Sequence, residues 1–181
     1  MRLAREAPWY MMRLAGQAQH RRSRLNSNVR RHKVTSMPAT KSELAAFLAA
    51  EFPQSKCTLE AAGNLGATVR HEIGFSELRP GGTVSGPVLM TVADVALYAA
   101  ILAEVGIKPL AVTTSLTINF MRKPSASAAI IGVCKLMKLG RSLAVGEVNL
   151  YSEGSAVPVA HAVGTYSIPP DPTETSPRSG A

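Results

Sequence analysis

Hydrophobic spacing along the chain changes character twice. Leu44, Phe47, Leu48 and Phe52 recur at helical spacing behind Ser42, and Pro53 stops the run. These positions predict a short amphipathic helix beginning after Ser42. Residues 57–75 read as two short strands around Gly63-Asn64-Leu65-Gly66, whose Asn and Gly supply turn chemistry. Residues 78–86 follow as a loop dominated by Pro80, Gly81, Gly82 and Gly86. Residues 87–103 then form a long apolar or small stretch whose only charge is Asp94. That stretch predicts a long helix ending near Gly106 and Pro109, apolar on nearly every side and therefore needing cover on most of them.

Beyond Pro109 the period shifts from helical to alternating. Val112, Leu116, Ile118 and Phe120 alternate with Thr113, Ser115, Thr117 and Asn119, a half-buried strand of about ten residues that Pro124 ends. Residues 127–138 make a second strand, 143–152 a third and 157–168 a fourth, separated by turns at Gly140-Arg141-Ser142 and Glu153-Gly154-Ser155. Short turns imply antiparallel neighbours and a four-strand meander. The element order predicts an α+β fold, with a long central helix wrapped by a curved antiparallel β-sheet and a second copy of the chain covering what the sheet leaves.

A chain of 181 residues, 46% hydrophobic and 18% charged, has the length and balance of one globular domain with tails. The net charge of +8 is not spread evenly. Residues 1–36 carry nine Lys/Arg against Glu6, whereas the remainder carries eleven of each sign. A neutral folded part removes the main support for a nucleic-acid-binding domain. The first 36 residues lack the apolar run of a secretory signal and read as a disordered basic extension, with an Arg-rich transit peptide or a basic arm as alternatives. Pro169, Pro170, Pro172 and Pro177 mark a disordered tail over 169–181, leaving 37–168 as the domain. The apolar run at 87–103 is slightly short for a membrane span, and its central Asp costs about 2.5–3.5 kcal/mol there, so no membrane partner is expected. Cys57 and Cys134 lie far apart and read as buried, reduced thiols, which fits a cytoplasmic location. No spacing of His, Cys and acids suggests a metal or another cofactor.

The chemistry centres on Asp94. A carboxylate on an apolar helix is costly unless it is paired or used. Its helical neighbours are Met90, Thr91, Leu97 and Tyr98, none of them basic, so its partner must come from elsewhere in the fold. Two chemical roles are open: general base on a water, or nucleophile on a carbonyl. The bland alternative, an N-cap for a helix starting at Val95, conflicts with apolar periodicity that already runs through 88–93. The glycine-rich loop ahead of the helix offers backbone N–H groups at the positive end of the helix dipole, where a developing oxyanion is stabilised. Arg122 and Lys123, after a strand, either meet phosphates or are simply solvated. His71 and His161 have no neighbouring acid in the pattern and read as structural, as Tyr98 reads as core packing.

Gly82-Thr83-Val84-Ser85-Gly86-Pro87, with Asp94 nine residues after Ser85, resembles the Gly-Thr-x-His-Gly-Gly turn and following acid of the PaaI-like hotdog-fold acyl-CoA thioesterases. Ile118-Asn119-Phe120-Met121-Arg122-Lys123-Pro124, Gly140-Arg141-Ser142-Leu143-Ala144 and Gly164-Thr165-Tyr166 resemble later strands of that family, so the likeness spans residues 41–168. The resemblance implies a hotdog fold with Asp94 as catalytic carboxylate and the Gly86 amide polarising a thioester carbonyl. It implies an acyl-CoA substrate, medium-chain or aromatic, touched by Arg79, Gly82, Thr83, Arg122 and Lys123, and a homodimer or homotetramer with the site at the dimer interface. Ser85 stands where the family has His: it can donate a hydrogen bond but cannot exchange protons near neutral pH. Arg79 stands where the family often has Asn, and Pro87 brings no N–H to the turn. A non-catalytic acyl-CoA- or lipid-binding module is the alternative that these replacements leave open.

Overall fold

The computed structural model describes residues 37–170. The expected basic extension over 1–36, and the expected tail beyond Pro170, lie outside the described residues.

Helix α1, Lys41–Glu51, is capped by Thr40 rather than Ser42. The Thr40 hydroxyl accepts the Glu43 N–H at 3.2 Å, and the Glu43 carboxylate accepts the Thr40 N–H at 2.8 Å. This reciprocal box satisfies two otherwise orphaned donors, and its Thr-x-x-Glu spacing outcompetes a lone Ser. Leu44 and Leu48 are buried in the core, with Phe47 and Phe52 packed against it. Strands β1 (Cys57–Gly63) and β2 (Gly66–His71) form the expected hairpin.

The expected loop over 78–86 contains a second hairpin. Strand β3 (Leu78–Arg79) pairs with β4 (Thr83–Val84), placing Arg79 opposite Thr83. Gly81 and Gly82 turn it with φ of 92° and 62°, a region that side chains resist. Strands of two residues carry no period, so the pattern could not reveal them.

Helix α2, Gly86–Val105, is buried along most of its length. It is long and apolar enough to cross a membrane, yet 72% of its most apolar window is buried within the fold. The sheet comes close to it because two paired positions, Gly146 on β7 and Gly164 on β8, carry no side chain. A Cβ there would meet Leu97 of α2 at 2.7 and 2.5 Å.

Strands β5 (Val112–Phe120), β6 (Ile130–Leu139), β7 (Leu143–Ser152) and β8 (Ala160–Ser167) join the first hairpin in one antiparallel sheet of order β1-β2-β6-β7-β8-β5. The expected meander is therefore only partly right. β5 pairs with β8, not β6, because the link through Pro124 is too long for a tight hairpin and instead hooks onto Val159, whose carbonyl accepts the Met121 and Arg122 N–H groups at 2.9 and 3.0 Å. As an edge strand, β5 is mostly exposed rather than half-buried; only Leu116 and Ile118 are partly covered. A long helix wrapped by an antiparallel sheet is the hotdog arrangement.

His71 is buried on β2, with Nδ1 3.1 Å from the Ser55 carbonyl oxygen and Nε2 without a partner among the described residues. Burial pushes its pKa below the ordinary value, against the opposing charge of Glu77. An unfolded His titrates near 6.5, so as pH falls through that value the unfolded chain takes up a proton that the folded chain refuses, and stability falls. The melting temperature should therefore drop from about pH 7.5 to about pH 5.5, and His71→Gln should make the drop shallower. Equal slopes in calorimetric scans would contradict this assignment. Cys57 is only half-buried, and Cys134 is buried. Burial holds both thiols protonated, pushed up to about 11 and about 12, which makes them poor nucleophiles. His161 does have an acidic neighbour, contrary to expectation: Glu147 Oε2 lies 3.4 Å from its Nε2 across the β7–β8 pair.

Candidate active site

The start of α2 is held from behind. Ser85 is the N-cap, in extended conformation at φ −74°, ψ 151°, and its hydroxyl makes no capping bond. Its N–H instead donates to the Glu77 carbonyl oxygen at 2.9 Å. The Glu77 side chain in turn accepts Lys56 Nζ at 2.9 Å, Ser76 Oγ at 2.7 Å and the Gly74 N–H at 2.9 Å, and the Lys56 pairing draws its pKa down to about 2. The Gly86 amide is the first of the helix and belongs to the turn whose N–H groups lack intrahelical partners. The Phe120 ring lies against it, 3.2 Å from where a Cβ would stand.

Around that amide is a cavity of about 660 Å³, lined among others by Arg79, Thr83, Gly86, Phe120, Arg122 and Lys123. Five of the expected substrate and carbonyl-binding residues thus meet in one place. Gly82 and Ser85 are not in its wall. Gly82 serves the β3–β4 turn, and its N–H donates to the Arg79 carbonyl at 3.1 Å. No carboxylate of the described residues lines this cavity. Arg122 donates to the Pro158 carbonyl at 3.1 Å, while Arg79 and Lys123 have no side-chain hydrogen-bond or ion-pair partner among the described residues.

Asp94 lies elsewhere. It sits in the body of α2, which excludes the N-cap reading, and it is half-buried rather than fully buried. Its Oδ1 accepts the Thr113 hydroxyl at 2.5 Å and the Tyr166 hydroxyl at 2.6 Å. Its Oδ2 takes no hydrogen bond among the described residues. Tyr166 is held protonated, its pKa pushed up chiefly by burial and then by the negative charge of Asp94, so it is a dependable donor. Two hydroxyl donors orient a carboxylate while leaving its second oxygen for chemistry.

Neither partner was read from the sequence. A bulge between Thr113 and Ser115 breaks the strand alternation and swings Thr113 onto the helix side, whereas Val112 becomes 53% exposed. Tyr166 lay in a noted motif, but nothing in strand spacing ties it to a residue on α2.

Asp94 lines a groove of about 530 Å³ with Phe47, Glu51, Phe52, Tyr98 and Thr113 in its wall. Tyr98 is thus both core packing and groove wall, its hydroxyl on the Pro109 carbonyl at 3.2 Å. The groove and the Gly86 cavity share no lining residue. Asp94 lies eight residues beyond Gly86 in the helix, about 12 Å along the axis at 1.5 Å per residue. Within one chain, Asp94 does not reach a group held on the Gly86 amide. Among the described residues no group of three or more His, Cys, Asp or Glu is placed to hold a metal ion.

Residues 81–159 match the family model described as the thioesterase superfamily. A protein of Silicibacter sp. TM1040 assigned to the thioesterases is 44% identical, with a TM-score of 0.69 over 76% of this chain and 97% of that one. A mutant of the phenylacetic acid degradation protein PaaI from Thermus thermophilus is 25% identical, with a TM-score of 0.56 over 68% and 99%. Zebrafish thioesterase superfamily member 2, at 20% identity and a TM-score of 0.62 over 71% and 95%, shares the fold. No curated protein matches the chain by sequence.

Proposed function

The chain belongs to the thioesterase superfamily, and from that premise we propose that residues 37–168 hydrolyse medium-chain or aromatic acyl-CoA thioesters with Asp94 as general base. The observation that carries this reading is the Asp94 carboxylate, pinned at Oδ1 by Thr113 and Tyr166 and unengaged at Oδ2. The thioester carbonyl docks on the Gly86 N–H at the positive end of α2, with Ser85 as a further hydroxyl at the same helix start. Asp94 takes a proton from a water as that water adds to the carbonyl carbon. The oxyanion accepts from Gly86, the C–S bond breaks as the carbonyl re-forms, and the thiolate recovers the proton from Asp94. Arg79, Arg122 and Lys123 hold the phosphates of CoA, while Thr83 and Gly82 shape the turn that presents Arg79.

The separation of Gly86 from Asp94 asks for a second copy, with Gly86 from one protomer and Asp94 from its partner. Strand β5 offers the means. Its outer edge is unpaired among the described residues, and Val112, Phe120 and Met121 along and beside it are 53%, 54% and 44% exposed. Pairing two β5 edges covers these side chains and joins the sheets. A thiol-release assay over medium-chain and aromatic acyl-CoAs, run beside sedimentation, should show turnover by a dimer or a dimer of dimers. Tight acyl-CoA binding without thiol release would favour the non-catalytic module.

A further inference from the structure

The two cavities carry opposite charge. Among the described residues, Arg79, Arg122 and Lys123 line the one at Gly86 without an acid. Asp94 and Glu51 line the other, without a cation among the described residues. The charge of CoA lies on its phosphates, which the first cavity attracts and the second repels. This sign difference orients a bound thioester: the CoA arm takes the cationic side, and the acyl group takes the groove beside Asp94. The walls of that groove suit an apolar chain. Phe47 and Tyr98 rings lie 6.3 Å apart, Tyr98 and Tyr166 rings 6.1 Å apart, and Phe52, Ala111 and Val112 complete the lining.

Glu51 is the odd member. It stands in the last turn of α1, where the helix dipole disfavours a carboxylate, and no basic residue in that turn offsets it. Its side chain has no hydrogen-bond or ion-pair partner among the described residues. Among the described residues its charge makes no stabilising contact, and it stands exposed at the rim of the groove, where it acts on whatever enters. Resting on the thioesterase reading above, we propose that the groove is the acyl subsite, with Phe47 and Phe52 as its apolar wall and Glu51 as a specificity-determining residue that rejects acyl chains ending in a carboxylate. The substrate class is an uncharged, apolar acyl thioester. Both walls come from α1 and its C-cap, which lie outside the stretch matched by the family model.

Two non-hydrolysable thioethers, hexyl-CoA and its ω-carboxypentyl counterpart, test this by calorimetry on the full chain. Wild type should prefer the hexyl ligand by roughly three- to tenfold, the scale of like-charge repulsion from the exposed Glu51 and the half-buried Asp94. Glu51→Gln should shrink that preference, and Glu51→Lys should bring the carboxylated ligand to parity or beyond. Phe47→Ala should weaken hexyl-CoA more than CoA alone. Circular dichroism checks that each variant folds. A preference unchanged in Glu51→Lys, or absent in wild type, overturns the subsite. Hydrolysis of hexanoyl-CoA is measured separately. Turnover without charge discrimination removes the subsite and keeps the enzyme; discrimination without turnover keeps the subsite and removes the hydrolase.

Discussion

Asp94→Asn should lower kcat/KM for a hydrolysed acyl-CoA on the order of a thousandfold, the middle of the range for removal of a positioned general base, while melting temperature and oligomer size stay near wild type. Asn keeps an amide oxygen that still accepts from Thr113 and Tyr166, whose bonds at 2.5 and 2.6 Å both fall on Oδ1. The atom that changes is the second oxygen, which has no partner to lose among the described residues but becomes an NH₂ without a basic lone pair. The variant therefore separates chemistry from packing. Thr113→Val makes a useful comparison, since it removes one of two orienting donors and leaves the base; a loss of roughly tenfold is expected there, on the scale of one hydrogen bond. If Asp94→Asn keeps activity within tenfold of wild type, Asp94 is not the base.

The extent to which this site was legible in the sequence follows from the kind of contact each residue makes. Asp94 was visible because a single charge in a long apolar run violates a local pattern, and its nine-residue distance from Ser85 is a property of one continuous segment. The α2 helix and the strands β7 and β8 were visible for the same local reason. Thr113 was not, because a bulge shifts register by one residue and turns Thr113, still exposed, toward the helix face that carries Asp94. The pairing of β5 with β8 escaped because edge choice depends on where a Pro-containing link docks, and periodicity says nothing about docking. Arg79 was noticed by alignment to a motif, but its rigid presentation on a hairpin of two-residue strands was invisible. Glu51 and Phe52 looked like the end of an ordinary surface helix. Their meeting with Asp94 joins residues more than forty positions apart and depends on how α1 lies beside α2.

Co-expressing Asp94→Asn with Gly86→Pro should recover activity that neither variant has alone. Proline removes the Gly86 N–H, the proposed carbonyl donor, and should cost roughly a hundred- to a thousandfold. It does so at the first position of α2, behind Ser85, whose φ of −74° and ψ of 151° already suit a residue preceding Pro; Pro87 follows and disfavours helical backbone at residue 86, so circular dichroism must first show the variant folded. The nearest obstacle is the Phe120 ring, 3.2 Å from the Cβ position and covered in the proposed β5 pairing, so sedimentation must first show that Gly86→Pro still dimerises. In a mixed dimer, the Asp94→Asn copy supplies an intact Gly86 and the Gly86→Pro copy an intact Asp94, so one composite site is whole and the other has lost both groups. Random assortment makes half the dimers mixed, so about a quarter of wild-type sites return. If each chain carried a complete site of its own, every site in the mixture would still lack one group and nothing would return. Recovery near a quarter therefore supports the shared site, and activity no higher than that of the better parent, with mixed dimers verified by mass, sinks it. The axial distance of about 12 Å between Gly86 and Asp94 already favours the first outcome, because no thioester carbonyl held at one reaches the other within a single helix.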